Sequence, residues 1–474
     1  MFAEGFNLRT PMLIGAHYYA WYVKDKWPHK TLRGHLSQLP ITQFEGSWYK
    51  NTLSFPDNDI RHLDVVRQHF QWCKQYGIDF LFVSCNNEEL LPYLDLAEEV
   101  GIKLSIHVET LGIVETLGNT RIKKIEVSDI GKLVFQAMRV RDWFHHPAWF
   151  RIANVPVVAY YVTRQISDAC LPQAISKIRE TLGSVHLFGD EVWWTTPKPE
   201  RLKLFDTIYA YNMYLNKGQK FDGGKVFNPG AIGEQYLDLI RPYETNFFKV
   251  AQSLNVKFAP TVLPGYNDRA VRYDRNHYII PREQGKFFLQ YLNHARQFLD
   301  KDSVLLITSF NEWYEDSQIE PVLTAPEGYQ SLKTSNDLFM GVDFEPYGYS
   351  YLEAVRTFKD SFGRPIRTLP VSLEKGQEIP PKLLEKIPLE SLQDKSVDDK
   401  TLLDRCALLY YQTTVLPILE TDKTTKQDIK KEYFECVEEA HRRGYTVKQI
   451  RARAKDLVFF FKTNQNKLIK GAPK

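Results

Sequence analysis

The chain has 474 residues, of which 43% are hydrophobic and 25% are charged, a globular composition that excludes a mainly disordered or collagen-like protein. The 61 basic and 58 acidic residues leave a net charge of +3, which is too small to indicate a nucleic-acid partner. The five cysteines are far apart and lack metal-ligand spacing, so we expect reduced thiols and no disulfide framework.

The chain begins without a basic segment followed by a long apolar core, so no signal peptide is evident and we expect a cytoplasmic protein. No apolar run approaches the ~18 residues that a membrane-spanning helix needs, and we expect no transmembrane segment. Short apolar strands then alternate with amphipathic helices. The predicted strands are residues 12–17, 78–83, 103–108, 156–162, 185–188, 206–211, 256–262 and 303–309.

Eight strands that alternate with helices over about 300 residues favour a closed parallel barrel over an open doubly wound sheet. The strands are nearly continuous apolar runs, as expected for strands buried on both faces. No glycine-rich phosphate loop follows any strand, which disfavours a nucleotide-binding sheet. The sequence therefore predicts an α/β fold, a (β/α)8 TIM barrel.

Active sites of such barrels lie at the C-terminal ends of the strands. In this sequence those ends are rich in carboxylates, amides and aromatic residues, which glycosidic-bond chemistry uses, and they lack metal-spaced histidines. We therefore expect no metal and no cofactor. Alternate residues of a strand point to opposite faces, so about half of the first aromatic segment should reach the site. The candidate substrate-binding residues are Tyr18, Tyr19, Trp21, Tyr22, His107, Glu109, Tyr211, Asn212, Tyr266, Asn311 and Trp313.

The last predicted strand runs into the segment Thr-Ser-Phe-Asn-Glu-Trp-Tyr-Glu-Asp-Ser-Gln-Ile-Glu-Pro at residues 308–321. This segment resembles the pattern S-(F/W)-N-E-W-x-E-G-T-x-I-E of glycoside hydrolase family 99, the endo-α-mannosidases, and of the related WbsX-like proteins of bacterial surface-polysaccharide clusters. Matching stretches extend the resemblance over roughly residues 12–363. They are residues 18–22, 107–109, 146–149, 260–268 and 347–352.

The catalytic candidates are Glu312 and Glu315. Glycosidic cleavage needs an acid that protonates the leaving oxygen and usually a second carboxylate, although the residues alone leave open a salt bridge to a neighbouring loop. The resemblance implies a retaining α-mannosidase acting on a glycan or surface polysaccharide. It implies that Glu315 is the general acid/base, and that Glu312 deprotonates the sugar 2-hydroxyl, which attacks the anomeric carbon and gives a 1,2-anhydro intermediate. It also places His107 and Glu109 in the substrate groove.

The sequence departs from the family pattern at the two positions directly after Glu315, where Asp316 and Ser317 replace glycine and threonine. A glycine allows backbone conformations that an aspartate adopts less easily, and a second carboxylate disfavours ionisation of Glu315. Two other functions stay open from the sequence: a catalytically silent carbohydrate-binding barrel, and a glycosyl-transferring protein of polysaccharide biosynthesis.

Composition divides the chain into a barrel domain at residues 1–364, an irregular proline-bearing linker at 365–398 and an α-helical basic appendage at 399–474. Residues 441–474 hold ten basic residues and one acidic residue, so they carry +9 of the total charge. This stretch could bind an acidic partner, anionic lipid or a second copy of the chain, or it could be a solvated helix face. We expect the appendage to pack on the barrel flank or to bridge two subunits without contacting the sugar.

Overall fold

The chain separates into two compact units, Met1–Pro370 and Val371–Lys474, and each is described by itself. In the computed structural model, the described residues are 12–22, 43–44, 47–48, 51–52, 61–84, 90–110, 116–117, 121–122, 124–213, 232–269, 278–322, 347–361 and individual positions between 402 and 443.

A parallel sheet forms the centre of the first unit. Its strands are β1 (Leu13–Tyr19), β2 (Phe80–Ser84), β3 (Lys103–Glu109), β4 (Val155–Tyr161), β5 (His186–Asp190), β6 (Thr207–Tyr209), β7 (Lys257–Ala259), β8 (Thr261–Val262) and β9 (Val304–Ile307). Neighbouring strands pair in parallel from β1 to β7, and β9 pairs with both β1 and β8. A short strand at Arg151–Ile152 pairs antiparallel with β4.

The sheet closes at the seventh barrel strand, which consists of β7 and β8 and is interrupted at Pro260. Proline has no N–H to donate to the ladder, but its carbonyl oxygen accepts from the Leu306 amide at 2.9 Å. Since β7 pairs with β6 and β8 pairs with β9, the strands form a closed eight-stranded barrel. The predicted (β/α)8 TIM barrel is confirmed.

Helices follow the strands and cover the outside of the barrel. They are α1 (Arg61–Tyr76), α2 (Leu91–Val100), α3 (Ile130–Arg141), α4 (Leu171–Leu182), α5 (Pro199–Leu202), α6 (Gly233–Ser253), α7 (Lys286–Ala295) and α8 (Ser350–Asp360). Short 3₁₀ turns lie at Val127–Asp129, Asp142–His145, Thr163–Gln165, Glu283–Gly285, Arg296–Phe298 and Trp313–Glu315. Gly77 and Gly101 end α1 and α2 with φ of 84° and 83°, a left-handed conformation that glycine adopts without a Cβ penalty.

Aromatic side chains fill the lower part of the barrel. The rings of Phe80 and Phe150 stack with centroids 3.8 Å apart, and Phe82 packs edge-on against Phe188 at 5.3 Å. Gly15 of β1 leaves room for the Phe80 ring, because a Cβ at that position would clash with it. These rings are buried, so they form a close-packed apolar floor beneath the C-terminal mouth.

One predicted strand ends earlier in the structure than the pattern indicates. The predicted strand at 206–211 ends at Tyr209, because the amide of Tyr211 donates to the side chain of Asp190 at 3.2 Å and leaves the ladder. The helix Lys286–Ala295 is flanked by the 3₁₀ turns Glu283–Gly285 and Arg296–Phe298.

The second unit is described at individual positions, most of which are helical, and five of them form a small apolar core. This core contains Leu402, Cys406, Leu409, Cys436 and Ala440. The predicted linker at 365–398 and the basic stretch after residue 443 lie outside the described residues, so the predicted domain limits and the packing of the appendage stay predictions.

Candidate active site

A returning loop after β9 carries both predicted catalytic glutamates. The loop begins where the Phe310 amide donates to the His17 carbonyl of β1 at 2.8 Å, and it returns where the Glu320 amide donates to the Phe310 carbonyl at 2.8 Å. At its tip, Glu312 precedes a 3₁₀ turn, Trp313–Glu315, and the Glu312 carboxylate accepts from the Tyr314 amide at 2.9 Å. Pairing of β9 with β1 places this loop beside the first strand, as the closed barrel predicts.

A chain of hydroxyl groups connects Glu315 to the first strand. The Tyr19 hydroxyl donates to the Tyr211 hydroxyl at 2.6 Å, and the Tyr211 hydroxyl donates to Glu315 Oε2 at 3.2 Å. Burial, followed by the charges of Glu312, Glu109 and Glu315, raises the pKa of Tyr19 well above its ordinary value. The three glutamates therefore lie within electrostatic reach of one tyrosine hydroxyl at the C-terminal mouth.

Glu109 lies at the end of β3, where burial disfavours the ionised form of its carboxyl group. Burial raises the pKa of Glu109 to about 7, the charges of Glu315 and Asp190 add to this effect, and the hydrogen bond from Ser84 at 2.5 Å opposes it. The group therefore changes its protonation state near neutral pH. A carboxyl with such a pKa, within reach of a second carboxylate, is typical of a catalytic cleft.

His107 lies below Glu109 on β3, between aromatic rings. Its Nε2 is 2.9 Å from the Tyr209 hydroxyl, which itself donates to the Tyr160 carbonyl at 3.2 Å, so the proton of His107 lies on Nε2. Burial lowers the pKa of His107 to about 3 and keeps the imidazole neutral. The His107 ring lies 5.9 Å from the ring of Tyr211, in a stacked arrangement, and forms part of the floor of the site.

Asp190 organises the neighbouring wall, although it was not among the predicted site residues. Its carboxylate accepts from the backbone amides of Val162 and Tyr211 and from Arg164 at 2.8 Å. Burial raises the pKa of Asp190, and the Arg164 charge opposes this shift. Its place directly at the C-terminal end of β5 is the signal that could have identified it.

Asn212 and Tyr266 also lie at the mouth end of the barrel. Asn212 is 3% exposed, and among the described residues neither its amide oxygen nor its amide nitrogen has a hydrogen-bond partner. Buried amides are normally paired, so this group is available to a ligand. Tyr266 is buried and its backbone forms an antiparallel bridge with Ile280, which fixes the loop after β8.

Three predicted substrate-binding residues lie in the wall and not in the site. The hydroxyl of Tyr18 is 3.1 Å from His69 Nδ1 in α1, because Tyr18 alternates with Tyr19 and faces outward. The side-chain amide of Asn311 bonds both the amide and the carbonyl of Tyr19, at 2.7 and 2.8 Å. The indole of Trp313 donates to Glu320 at 3.0 Å. The side chains of Trp21 and Tyr22 lie outside the described residues.

Asp316, which stands where the family pattern has glycine, adopts the left-handed conformation that the pattern indicates. Its φ is 47° and its ψ is 31°, and aspartate is among the non-glycine residues that adopt this region most readily. Arg282 donates to the carbonyls of Asp316 and Gln318 at 2.8 Å each. Asp316 therefore has a backbone conformation that is open to glycine as well.

Within the part of the chain that the structure describes, no group of three or more His, Cys, Asp or Glu side chains could hold a metal ion. Among the described helices, none combines the length and apolar character needed to cross a membrane.

Comparison with known proteins identifies the family. The family model described as glycosyl hydrolase family 99 matches residues 227–362. The glycoprotein endo-α-1,2-mannosidase of Rattus norvegicus is 32% identical over 395 residues, which cover 74% of this chain and 75% of that protein. The chain belongs to glycosyl hydrolase family 99. The glycoprotein endo-α-1,2-mannosidase-like protein of Homo sapiens is 35% identical over 399 residues, which cover 75% of this chain and 77% of the relative.

A solved family 99 endo-α-mannosidase from Bacteroides thetaiotaomicron, in complex with bis-tris-propane, has the same fold. It superposes with a TM-score of 0.52 at 20% identity, over 74% of this chain and 97% of that protein. Family membership makes this protein a glycoside hydrolase of the endo-α-mannosidase type. The predicted family, fold and enzyme class are confirmed.

Proposed function

We propose that this family 99 enzyme cleaves an α-mannoside linkage within a glycan or surface polysaccharide, with retention of anomeric configuration, through Glu312 and Glu315. The observation that supports this most directly is the hydroxyl chain from Tyr19 through Tyr211 to Glu315, with Glu312 and Glu109 within electrostatic reach of the same hydroxyl. We propose an α-1,2 linkage in particular, because relatives of this chain are named endo-α-1,2-mannosidase.

In the proposed first step, the Glu312 carboxylate takes the proton of the mannose 2-hydroxyl, and the oxygen O2 attacks the anomeric carbon. Glu315 donates its proton to the leaving glycosidic oxygen as that bond breaks, which yields a 1,2-anhydro sugar. In the second step, Glu315 takes a proton from water, the water oxygen opens the three-membered ring at the anomeric carbon, and Glu312 returns the proton to O2. Two inversions give net retention.

The local structure supports these roles. Glu312 is held by the Tyr314 amide and, through its own amide, by the Ser309 hydroxyl at 2.7 Å, so its carboxylate has a defined orientation. A hydrogen bond from the Tyr211 hydroxyl orients Glu315. Glu312 and Glu315 are 4% and 5% exposed. A site of low dielectric strengthens their interaction with a sugar.

Glu109 and Asn212 supply the proposed substrate contacts beside the reacting sugar. A Glu109 carboxyl with a pKa of about 7 donates a hydrogen bond to a sugar oxygen when protonated and accepts one from a hydroxyl when ionised. The unpaired amide of Asn212 can donate and accept at once, as a sugar hydroxyl requires.

Glu312→Gln and Glu315→Gln test the assignment on a panel of α-1,2-linked manno-oligosaccharides, with the product anomer followed by NMR. Loss of a positioned acid or base costs about 10²–10⁴ in kcat. Glu234→Gln, an exposed carboxylate in the first turn of α6, is the matched control and should keep the parental rate.

Parental rates for both active-site variants would contradict the assignment of the pair. An inverted product would contradict the 1,2-anhydro route while leaving the site in place. Transfer of the glycosyl group to an added sugar, in preference to water, would favour the glycosyl-transferring function.

A further inference from the structure

Behind the catalytic loop, on the side away from the mouth, four buried side chains form a hydrogen-bonded cluster. The Tyr18 hydroxyl is 3.1 Å from His69 Nδ1, His69 Nε2 is 3.1 Å from Glu320 Oε1, and Trp313 Nε1 is 3.0 Å from Glu320 Oε2. The side chains of His69 and Glu320 are fully buried, and Tyr18 and Trp313 are 0% and 2% exposed. We call these four residues the anchor cluster.

The hydrogen bonds of the anchor cluster can all be satisfied together. The indole of Trp313 can only donate, so Glu320 Oε2 accepts there. With the His69 proton on Nε2, Nε2 donates to Glu320 Oε1 and Nδ1 accepts from the Tyr18 hydroxyl. Each donor in this series meets an acceptor, which is the arrangement that makes a buried polar network rigid.

The anchor cluster connects the tip of the catalytic loop to its base. Trp313 lies in the turn between the two glutamates, whereas the backbone of Glu320 is fixed at the base by the Phe310 carbonyl and by the Tyr347 hydroxyl, which donates to its carbonyl at 2.6 Å. His69 adds a connection from α1, an element that precedes the loop by about 240 residues in the chain.

We propose that Glu320 and His69 are positioning residues for catalysis: they hold Trp313 from behind and thereby fix the turn that aims Glu312 and Glu315 at the sugar. This inference rests on the catalytic roles proposed above for the two glutamates. A displacement of about 1 Å at a reacting group costs about 10²-fold in rate, so the anchor cluster should affect kcat far more than substrate binding.

The chain offers a matched control in a second buried network of the same chemistry. Glu244 of α6 accepts from His294 Nε2 at 2.6 Å and from the Tyr291 hydroxyl at 3.3 Å, both in α7. The side chains of His294 and Glu244 are 4% and 3% exposed. This network joins two outer helices, and among the described residues none of its hydrogen bonds reaches the catalytic loop, so its disruption should cost stability without misaligning the glutamates.

The experiment compares Glu320→Met and Glu320→Gln with Glu244→Met and Glu244→Gln in the full chain, on the α-mannoside that the parent hydrolyses best. We expect Glu320→Met to lower kcat about 30- to 100-fold with KM changed by less than about threefold. Glutamine can still accept from the indole, and it can donate to His69 once the imidazole proton moves to Nδ1, so Glu320→Gln should recover most of kcat. Both Glu244 variants should keep the parental kcat.

A second readout is independent of activity. The indole N–H resonance of Trp313, assigned by its absence in Trp313→Phe, should shift in Glu320→Met and stay in place in Glu244→Met. If Glu320→Met does not fold, His69→Gln provides the same comparison, with the control His294→Gln.

A folded Glu320→Met with the parental kcat, equal kcat losses in the Glu320 and Glu244 variants, or an unshifted Trp313 resonance would each overturn the inference. Failure of the proposed function has a different signature: Glu312→Gln and Glu315→Gln would then hydrolyse substrate at the parental rate whatever the Glu320 variants do.

Discussion

Replacement of Glu109 by glutamine should stabilise the barrel at alkaline pH and not at acidic pH. Burial holds the pKa of Glu109 at about 7, against an ordinary value of 4.5 for a glutamate. The folded protein therefore binds a proton on this group over a pH range in which the unfolded chain has released it. Since stability rises with pH only where the unfolded state binds more protons, the Glu109 contribution falls as the pH increases from about 4.5 to about 7.

The difference between the two pKa values corresponds to about 3 kcal/mol of unfolding free energy when the whole shift is counted. The Glu109 side chain keeps 18% exposure, so solvent screens part of this cost. We therefore expect the wild type to lose about 1–2 kcal/mol relative to Glu109→Gln between pH 5 and pH 8.

Urea denaturation followed by tryptophan fluorescence measures this difference, because all nine tryptophans lie in the first unit of the chain. Ser84→Ala is the companion variant. The Ser84 hydroxyl favours the ionised form of Glu109. Its loss should therefore raise the pKa of Glu109 further, and the unfolding free energy should keep falling to a higher pH than in the wild type. A stability difference between wild type and Glu109→Gln that is the same at pH 5 and pH 8 would refute the reasoning.

Three further results are expected. Tyr211→Phe removes the hydroxyl that donates to Glu315 and should lower kcat by up to about tenfold, since an intramolecular hydrogen bond contributes about 0.5–1.5 kcal/mol. An unchanged kcat would mean that this contact does not orient the acid. Gly15→Ala places a methyl group against the Phe80 ring and should lower the unfolding free energy by about 1–3 kcal/mol in the same urea assay. A variant as stable as the wild type would show that the barrel interior can relax. Truncation after Arg364 should leave kcat/KM within about threefold of the full chain, because active sites of this fold are built from the loops after the strands. A soluble, folded and inactive truncated protein would show that the appendage contributes to catalysis.

The conditions around Glu109 also predict how the site should respond to substrate. A bound sugar excludes water from the mouth, and this strengthens the desolvation that disfavours the ionised form of Glu109. The proton on Glu109 should therefore be held more tightly in the complex than in the free enzyme. The basic limb of the kcat profile should lie at higher pH than that of kcat/KM.

The fold, and the position of Glu312 and Glu315 on a loop beside the first strand, could be predicted because they depend on local patterns. Continuous apolar runs separated by amphipathic helices are a property of neighbouring residues, and so is the segment that contains Glu312 and Glu315. Alternation along β1 likewise indicated that its aromatic side chains point to opposite faces, and the Tyr19 hydroxyl meets Tyr211 while the Tyr18 hydroxyl meets His69.

The roles of Tyr18, Asn311 and Trp313 depended on the partners that the fold brings to them, two of which are distant in sequence and one of which, Glu320, lies across the returning loop. Their side-chain chemistry suits a sugar equally well, but His69, the Tyr19 backbone and Glu320 satisfy it inside the wall. The raised pKa of Glu109 also requires the burial that only the closed barrel provides. Sequence periodicity determines which elements form and which residue types stand at their ends. The tertiary packing decides which of those side chains have their hydrogen bonds filled by the protein, and a polar group can serve a ligand only where the protein leaves that capacity unused.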